Sequence, residues 1–501
     1  MRGARVVKRV FLWTGTAVLM LGGGCLAPKY QRPSVPVAPA YKEAGDTAIW
    51  KPAQPADDRI RRNWWEMYGD PELNVLEAQV DSQNLSVAAA AAQYDAARAV
   101  VRQTRAQYFP TLSTAPAATN ARIAALPYAQ AANGTTYTNY SFPVTASWEP
   151  DFWGRVRNSV RGSAYAAQAS AADLENVKLL AHANLAADYF DLRGVEAQKR
   201  VLDATVASWQ SYLELTQDLC KSGLSNDEAL AAAESQLKAA QAQDTNLGIA
   251  RAQYEHAIAI LVGRAPSMFS IGAETHAAKL PEIPAEVPSE LLERRPDIAG
   301  AERAVAQANA EIGVARSAWF PNVMLSGTAG IESLTFADWF TWPSRFWSVG
   351  PEVAETVFDA GARSAAVQQA RALDEAAAAN YRLTALGAFQ QVEDSLAAQR
   401  VLAVDLEQQA SAVESARRFL AQALARNRAG LDPFLNVLVA QMSVQNYQLT
   451  WESYRTQQLV TSVQLIEALG GGWDASEMPP AGAMRSSRPP TAGSKAQGNG
   501  N

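Results

Sequence analysis

The stretch that decides the fold is Lys221-Ser222-Gly223-Leu224, which recurs as Arg428-Ala429-Gly430-Leu431, starting 207 residues later. Two more glycine landmarks recur at the same separation. They are Gly154-Arg155 with Gly361-Ala362-Arg363, and Leu261-Val262-Gly263 with Ala468-Leu469-Gly470. A repeat of this length predicts two pseudosymmetric halves rather than a solenoid.

Each half contains a helical stretch that is unusually long for a globular domain. Residues 155–222 and 362–429 are 68 residues each and contain no proline. One continuous helix of this length would extend about 100 Å, at ~1.5 Å per residue. Second stretches follow at 224–262 and 431–469, with proline only in the first turn of the latter, where it is tolerated. Gly223 and Gly430 are therefore predicted to be left-handed caps that turn one helix back along the next.

The helix opened by Pro296 has a regular apolar seam. Its members follow in alternating steps of three and four: Ile298, Ala301, Val305, Ala308, Ile312, Ala315 and Trp319. This spacing predicts coiled-coil packing, and the alanines allow close approach. The other faces are polar but weakly charged, which suits the wall of a water-filled tube. A rod-like coiled coil would explain the seam equally well.

Two segments between the helices alternate with period two. In 322–331 and 140–148, apolar residues occupy one face and mostly small or polar residues the other, which is the pattern of a transmembrane β-strand. Aromatic residues near Trp148 and in 336–347 could form interfacial girdles. A soluble β layer is the alternative. Two strands per half make four per chain, too few to close a barrel, so a membrane location would require several chains to share one.

The amino terminus resembles a secretion signal. Arg2, Arg5, Lys8 and Arg9 precede an apolar run too short to span a bilayer, and small residues follow up to Cys25. Cys25 stands where a bacterial lipoprotein carries its acyl chains, although it could be incidental to an ordinary signal. Removal of residues 1–24 would change the net charge from −6 to −10, because four basic and no acidic residues are lost.

The predicted organisation has five parts. Residues 1–24 are a lipoprotein signal peptide, 25–60 an acylated amino terminus with an extended leash, 61–265 the first repeat, 266–474 the second, and 475–501 a disordered tail. The 501 residues include only three histidines and two cysteines, and Cys220 is expected to be a lone buried thiol. The acidic net charge argues against a nucleic-acid partner.

Several motifs resemble those of a known family. Pro28-Lys29-Tyr30-Gln31-Arg32-Pro33 follows Cys25, and Trp64-Trp65 leads into Asp70-Pro71-Glu72-Leu73 with Asn84 beyond. Ser147–Arg155 resembles a strand-to-helix junction, and Leu291–Ile298 with Ala301-Glu302 and Phe320-Pro321 is the most diagnostic block. Over about residues 26–473 the chain is similar to outer-membrane factors of tripartite efflux systems, which are TolC-like, and specifically to the NodT-type lipoproteins.

The resemblance implies a mainly α fold with a membrane β-barrel portion, formed by a homotrimer. Each chain would supply four strands and long coiled-coil helices in two repeats. It also implies a location in the bacterial outer membrane with a periplasmic tunnel, and partners: a periplasmic adaptor and a proton-driven inner-membrane pump. The channel would perform no chemistry and need no cofactor.

In this family the turns around Gly223 and Gly430 would close the tunnel at its periplasmic end. Relatives often carry Asp and Arg at the positions of Val439 and Met442, so a carboxylate ring is not expected here. Rings of Val439 could close the aperture by a dewetting constriction. The nearby charges that could form other rings or pairs are Asp432, Arg428, Arg426, Asp227 and Glu228.

Two other functions remain open from the residues alone. A structural coiled-coil envelope lipoprotein would need the strands to stay out of lipid. An enzyme is disfavoured, because His182, His256 and His276 are scattered and no nucleophile, metal or phosphate motif accompanies them.

Overall fold

A computed structural model of the chain describes residues 28–38, 40–44, 62–122, 136–223, 226–273, 278–281, 283 and 288–480. The predicted signal peptide, Cys25, Leu224 and His276 lie outside these residues. The helices are α1 Pro71–Gln83, α2 Leu85–Ala106, α3 Arg155–Lys221, α4 Asp227–Leu261, α5 Pro288–Arg294, α6 Pro296–Ser317, α7 Ala362–Arg428 and α8 Phe434–Ala468. The strands are β1 Thr111–Thr114, β2 Ala117–Arg122, β3 Thr136–Trp148, β4 Asn322–Ser333 and β5 Arg345–Ala354.

The two long helices form as the repeat predicts. Helices α3 and α7 are 67 residues each. Each begins after a left-handed glycine, Gly154 at φ +81° and Gly361 at φ +92°. The second helices, α4 and α8, are 35 residues each and begin three residues later than predicted. The delay has a local cause, because Asn226 and Pro433 are extended N-cap residues.

Helix α3 is the centre of the packing and contacts α1, α2, α4, α6 and α8. The seam of α6 is buried at Ile298, Val305 and Ile312, as its spacing predicts. Small residues bring α3 and α6 together, since a Cβ at Gly300 would lie 3.6 Å from the Cβ of Ala172. None of the described helices is both long and apolar enough to cross a membrane.

The joints between helices repeat the pseudosymmetry. Asn84 caps α2 and its side-chain amide donates to the carbonyl of Leu261 at 2.8 Å. Arg295, which lies 211 residues later, precedes α6 and donates to the carbonyl of Ala468 at 3.0 Å. Each half therefore fastens the end of its second helix to the start of the helix that leads into the sheet.

The strands form one antiparallel sheet in the order β1-β3-β4-β5, with β2 also paired to β3. The sheet is four strands wide although the chain contributes five segments. β1 pairs with Val144–Ser147 and β2 with Thr136–Ser141, so they are one strand interrupted near Pro116. Proline lacks the N–H that a continuous strand would use. The width agrees with the predicted four strands.

Parts of two predicted segments, the leash and the tail, make contacts that the sequence did not indicate. The described part of the leash is packed on the helices: the Tyr30 hydroxyl donates to Glu302 at 2.6 Å and Tyr41 is buried. The predicted disordered tail is ordered up to Pro480, because Trp473 is buried and Gln168 donates to the Pro479 carbonyl at 2.9 Å. Proline-rich composition indicated the lack of regular structure but not these tertiary contacts. The other residues of the leash and tail lie outside the described ranges.

Candidate functional site: the helix turns and the sheet

The two helix turns have the conformation that their glycines require. Gly223 has φ +69° and Gly430 has φ +73°, both in the left-handed region. The N–H of Gly430 bonds the carbonyl of Asn427, and that of Leu431 bonds Arg426 at 2.9 Å. These bonds satisfy the last carbonyls of α7. The glycine caps are therefore confirmed.

Two of the candidate gate charges pair with each other within one turn. The Arg426 guanidinium donates to both carboxylate oxygens of Asp432, at 2.6 and 3.2 Å. This hydrogen bond lowers the pKa of Asp432. Asn427 also donates to the carbonyl of Asp432 at 3.0 Å. The Arg426–Asp432 pair thus rigidifies the α7–α8 turn and joins no other helix pair.

The remaining candidate charges are exposed. Asp227 and Glu228 occupy the first turn of α4, where negative charge is favourable. Arg428 is a basic residue in the last turn of α7. None of the three forms an ion pair within the described ranges.

Val439 lies on an exposed apolar stripe of the α7–α8 turn and α8. Its members recur at steps of four, four and three: Leu431, Leu435, Val439 and Met442, exposed by 69%, 63%, 50% and 41%. Leu435, Val439 and Met442 are at steps that share one face of α8, and Leu431 lies in the turn before that helix begins. The position of Val439 was singled out from the sequence, but the stripe around it was not.

Near the turns, the α3–α4 and α7–α8 hairpins contact each other through aromatic side chains. Tyr212 of α3 stacks on Phe434 of α8, with centroids 3.4 Å apart and planes 6° from parallel. Trp209 packs edge-on against Tyr212 at 6.1 Å, and Leu438 joins the same cluster. Sequence reasoning missed the stack, because Tyr212 and Phe434 belong to different repeats. The nearby Cys220 is half-buried rather than buried, with Sγ 3.4 Å from the carbonyl of Asn226.

The register of the sheet places the predicted apolar residues on one face. Val144 lies opposite Ala329, and Trp148 opposite Leu325. On β5 the same face carries Trp347, Val349 and Val353, which are 77%, 76% and 64% exposed. Thr145 and Thr328 meet on the opposite face at 3.2 Å. The alternation predicted from the sequence is thus confirmed, and much of the apolar face is exposed in a single chain.

The described residues contain no cluster of three or more potential metal ligands. His182 instead lies in a buried acidic contact far from the turns. Its Nδ1 is 2.7 Å from Glu77, its Nε2 is 3.3 Å from Asp81, and its ring stacks on Trp65 at 4.5 Å. Burial raises the pKa of Glu77 to about 7. Burial lowers the pKa of His182, but the bonds and charges of the two carboxylates outweigh it and the net shift is upward.

Comparison with known proteins agrees with this architecture. The family model described as outer membrane efflux protein matches residues 77–264 and 287–471. The solvent efflux pump outer membrane protein SrpC of Pseudomonas putida is 30% identical over 471 residues, which cover 92% of this chain and 98% of that protein. The pyoverdine export outer membrane protein OpmQ of the same species is 32% identical over 450 residues, covering 88% and 94%.

Solved structures show the same fold. The outer-membrane channel OprN has a TM-score of 0.82 and 27% identity, covering 89% of this chain and 99% of that one. The Campylobacter jejuni channel CmeC has a TM-score of 0.86 at 22% identity, covering 91% and 96%. The family consists of channel proteins, not enzymes, and its relatives are located in the outer membrane. With most of its length matched in both repeats, the chain belongs to the outer membrane efflux protein family.

Proposed function

We propose that three copies of this chain form one passive outer-membrane duct, through which a tripartite efflux pump exports small molecules. The observation that carries the proposal is the sheet. It is four strands wide, its apolar face is uncovered, and β1 with β2 at one side and β5 at the other are open edges. Open edges are not tolerated in lipid, so each edge must pair with another copy. Three copies would close a barrel of twelve strands.

The remaining parts have distinct roles in this proposal. Helices α3, α4, α7 and α8 would form the periplasmic tunnel wall. Cys25, once acylated, would fix the amino terminus to the outer membrane. A periplasmic adaptor would join the duct to a proton-driven inner-membrane pump, which supplies the energy. Relatives are named for export of toluene, solvents, antibiotics and pyoverdine, which favours small organic molecules as cargo.

We place the closure of the tunnel at the apolar stripe of Leu431, Leu435, Val439 and Met442. In a threefold assembly such stripes would face each other as apolar rings, and a narrow apolar ring excludes water and ions. Asp432 and Arg426 support the ring by holding the turn. The aromatic stack of Tyr212 on Phe434 would hold the α7–α8 hairpin against α3 and α4.

Planar-bilayer conductance of the purified full-length chain tests both proposals. We expect heat-labile trimers that form discrete channels. Val439→Asp should raise conductance and cation selectivity, and Val404→Asp, the same change at an exposed valine of α7 away from the turns, is the control. Unchanged conductance in Val439→Asp would show that the narrowest part of the tunnel lies elsewhere. A monomer without conductance, in which single cysteines introduced along 323–331 react with membrane-impermeant thiol probes, would support the structural lipoprotein instead. Mass spectrometry of the mature amino terminus tests acylation of Cys25.

A further inference from the structure

The strands of the sheet segregate charge between their two faces. Within the described strands there are four charged residues: Arg122, Glu332, Arg345 and Glu352. Arg345 lies opposite Ile331, which lies opposite Phe142, so Arg345 is on the apolar face. Arg122 shares that face through its register with β3. Glu332 and Glu352 lie on the polar face.

Both arginines also lie at the same end of the sheet. The helices join it where β3 and β5 end and β4 begins, at Trp148, Ala354 and Asn322. Arg122 ends β2 and Arg345 begins β5, at the end away from the helices. If the apolar face meets lipid, as the proposed function requires, these guanidinium groups lie at the far, outer headgroup level.

Arg345 is held in place without using its hydrogen-bond donors. Its guanidinium carbon lies 3.5 Å from the ring centroid of Trp342, which is 75% exposed. The Arg345 side chain forms no hydrogen bond or ion pair to any residue that the structure describes, although its backbone N–H donates to the carbonyl of Trp342. The carboxylate of Asp338, in the loop that precedes β5, accepts from Thr335 at 2.6 Å.

We propose that Arg345, backed by Trp342, binds a phosphomonoester group of an outer-leaflet lipid. Arg122 is level with Thr136 and Arg345 with Phe142, which are about 20 Å apart along β3, so Arg122 does not share the phosphate. A guanidinium offers paired donors that match a phosphate, and stacking on an aromatic ring leaves those donors free. The exposed rings of Phe336 and Phe340, in the loop between β4 and β5, and of Trp347, two residues along β5, suit the acyl chains and the headgroup boundary. The polar face, with its glutamates, would repel the same ligand. The inference rests on the proposed membrane location of the sheet.

The test reconstitutes the full-length chain in phosphatidylcholine vesicles that contain diphosphoryl lipid A as a minor component. Native mass spectrometry then measures lipid A retained on the protein. Arg345→Gln should lower retention about tenfold, the usual effect of losing one charge-assisted pair, and Arg345→Lys should retain part of it. Arg371→Gln, the same change on exposed α7, should have no effect. Dephosphorylated lipid A should bind equally weakly to all variants, and excess inorganic phosphate should not displace lipid A.

Three results would overturn the inference: unchanged retention in Arg345→Gln, an equal loss in Arg371→Gln, or displacement by inorganic phosphate. Conductance of the same vesicles separates this failure from that of the proposed function. If the channels conduct normally and lipid A retention is the same with and without Arg345, only the lipid site is refuted. A wild-type chain that never conducts would refute the duct itself.

Discussion

Two pairs of glycines share a backbone conformation but differ in their surroundings. Gly223 and Gly430 have φ +69° and +73°, and a Cβ at either would meet nothing within 4 Å. Gly263 and Gly470 have φ +70° and +93°, and a Cβ there would lie 2.2 Å from the carbonyl oxygen of Gln83 and 2.0 Å from that of Arg294. Alanine substitution at each position therefore distinguishes the free energy lost to a left-handed backbone from the free energy lost to a steric clash.

The magnitudes follow from this geometry. Left-handed alanine costs roughly 1–2 kcal/mol, which is all that Gly223→Ala and Gly430→Ala should lose. At Gly263 and Gly470 the obstacle is backbone and cannot rotate away, so overpacking adds about 1–3 kcal/mol. Since ~1.4 kcal/mol is a factor of ten, hydrogen exchange should accelerate about 5- to 30-fold in the first pair, and from about 30-fold to more than three orders of magnitude in the second.

Hydrogen-exchange mass spectrometry of the full-length chain in detergent measures these effects peptide by peptide. Gly263→Ala should loosen both the end of α4 and the end of α1, because the clash involves Gln83. Gly223→Ala should loosen only its own turn. Equal effects in the two variants, or an undisturbed α1 in Gly263→Ala, would refute the reasoning.

Three further predictions concern other contacts. Phe434→Ala should loosen the α7–α8 hairpin by removing the stack on Tyr212, worth about 0.5–1.5 kcal/mol beyond area burial, and should raise channel conductance. Arg426→Gln, which leaves the stack intact, should affect conductance less. Glu77 and His182 both have a raised pKa in the folded chain, so the folded state binds their protons more tightly than the unfolded state does. The free energy of unfolding should therefore fall as the pH rises from 4.5 to about 7, where Glu77 loses its proton. It should fall further above pH 6.5, where His182 loses its proton. His182→Gln should flatten the upper part of that dependence in melting-temperature measurements, and an unchanged profile would contradict the assignment. Asn84→Ala should cost about 1–2 kcal/mol and speed exchange at the start of α2 and the end of α4. Asn226→Ala, which removes one cap bond of α4, is its control and should act only there.

The contrast between the two glycine pairs also shows what the local sequence can predict and what it cannot. All four glycines recur at one spacing, and the sequence identifies each as a helix end. What distinguishes them is whether another helix passes close by. That depends on the position of Gln83 or Arg294, which lie more than 170 residues away in the chain.

The residues of the candidate gate show the same difference between local features and tertiary contacts. The sequence located the turns and named Arg426, Asp432 and Val439, because helix ends and charges are local features. It could not pair Arg426 with Asp432, and it gave no sign that Tyr212 and Phe434 stack. The contacts of Tyr30 and Pro479 were likewise not predicted, because Pro-rich segments carry no periodicity by which packing could be recognised.

The sequence by itself determined the duplicated unit, the lengths of the long helices, the left-handed turns and the apolar face of the strands. These follow from periodicity and from residues whose backbone preferences act locally. Tertiary structure alone decided which residues of different repeats meet, which glycines are crowded, and that both strand arginines share one face and one end of the sheet. Register and helix packing bring together residues distant in the chain, and such contacts leave no trace in the pattern of either segment taken alone.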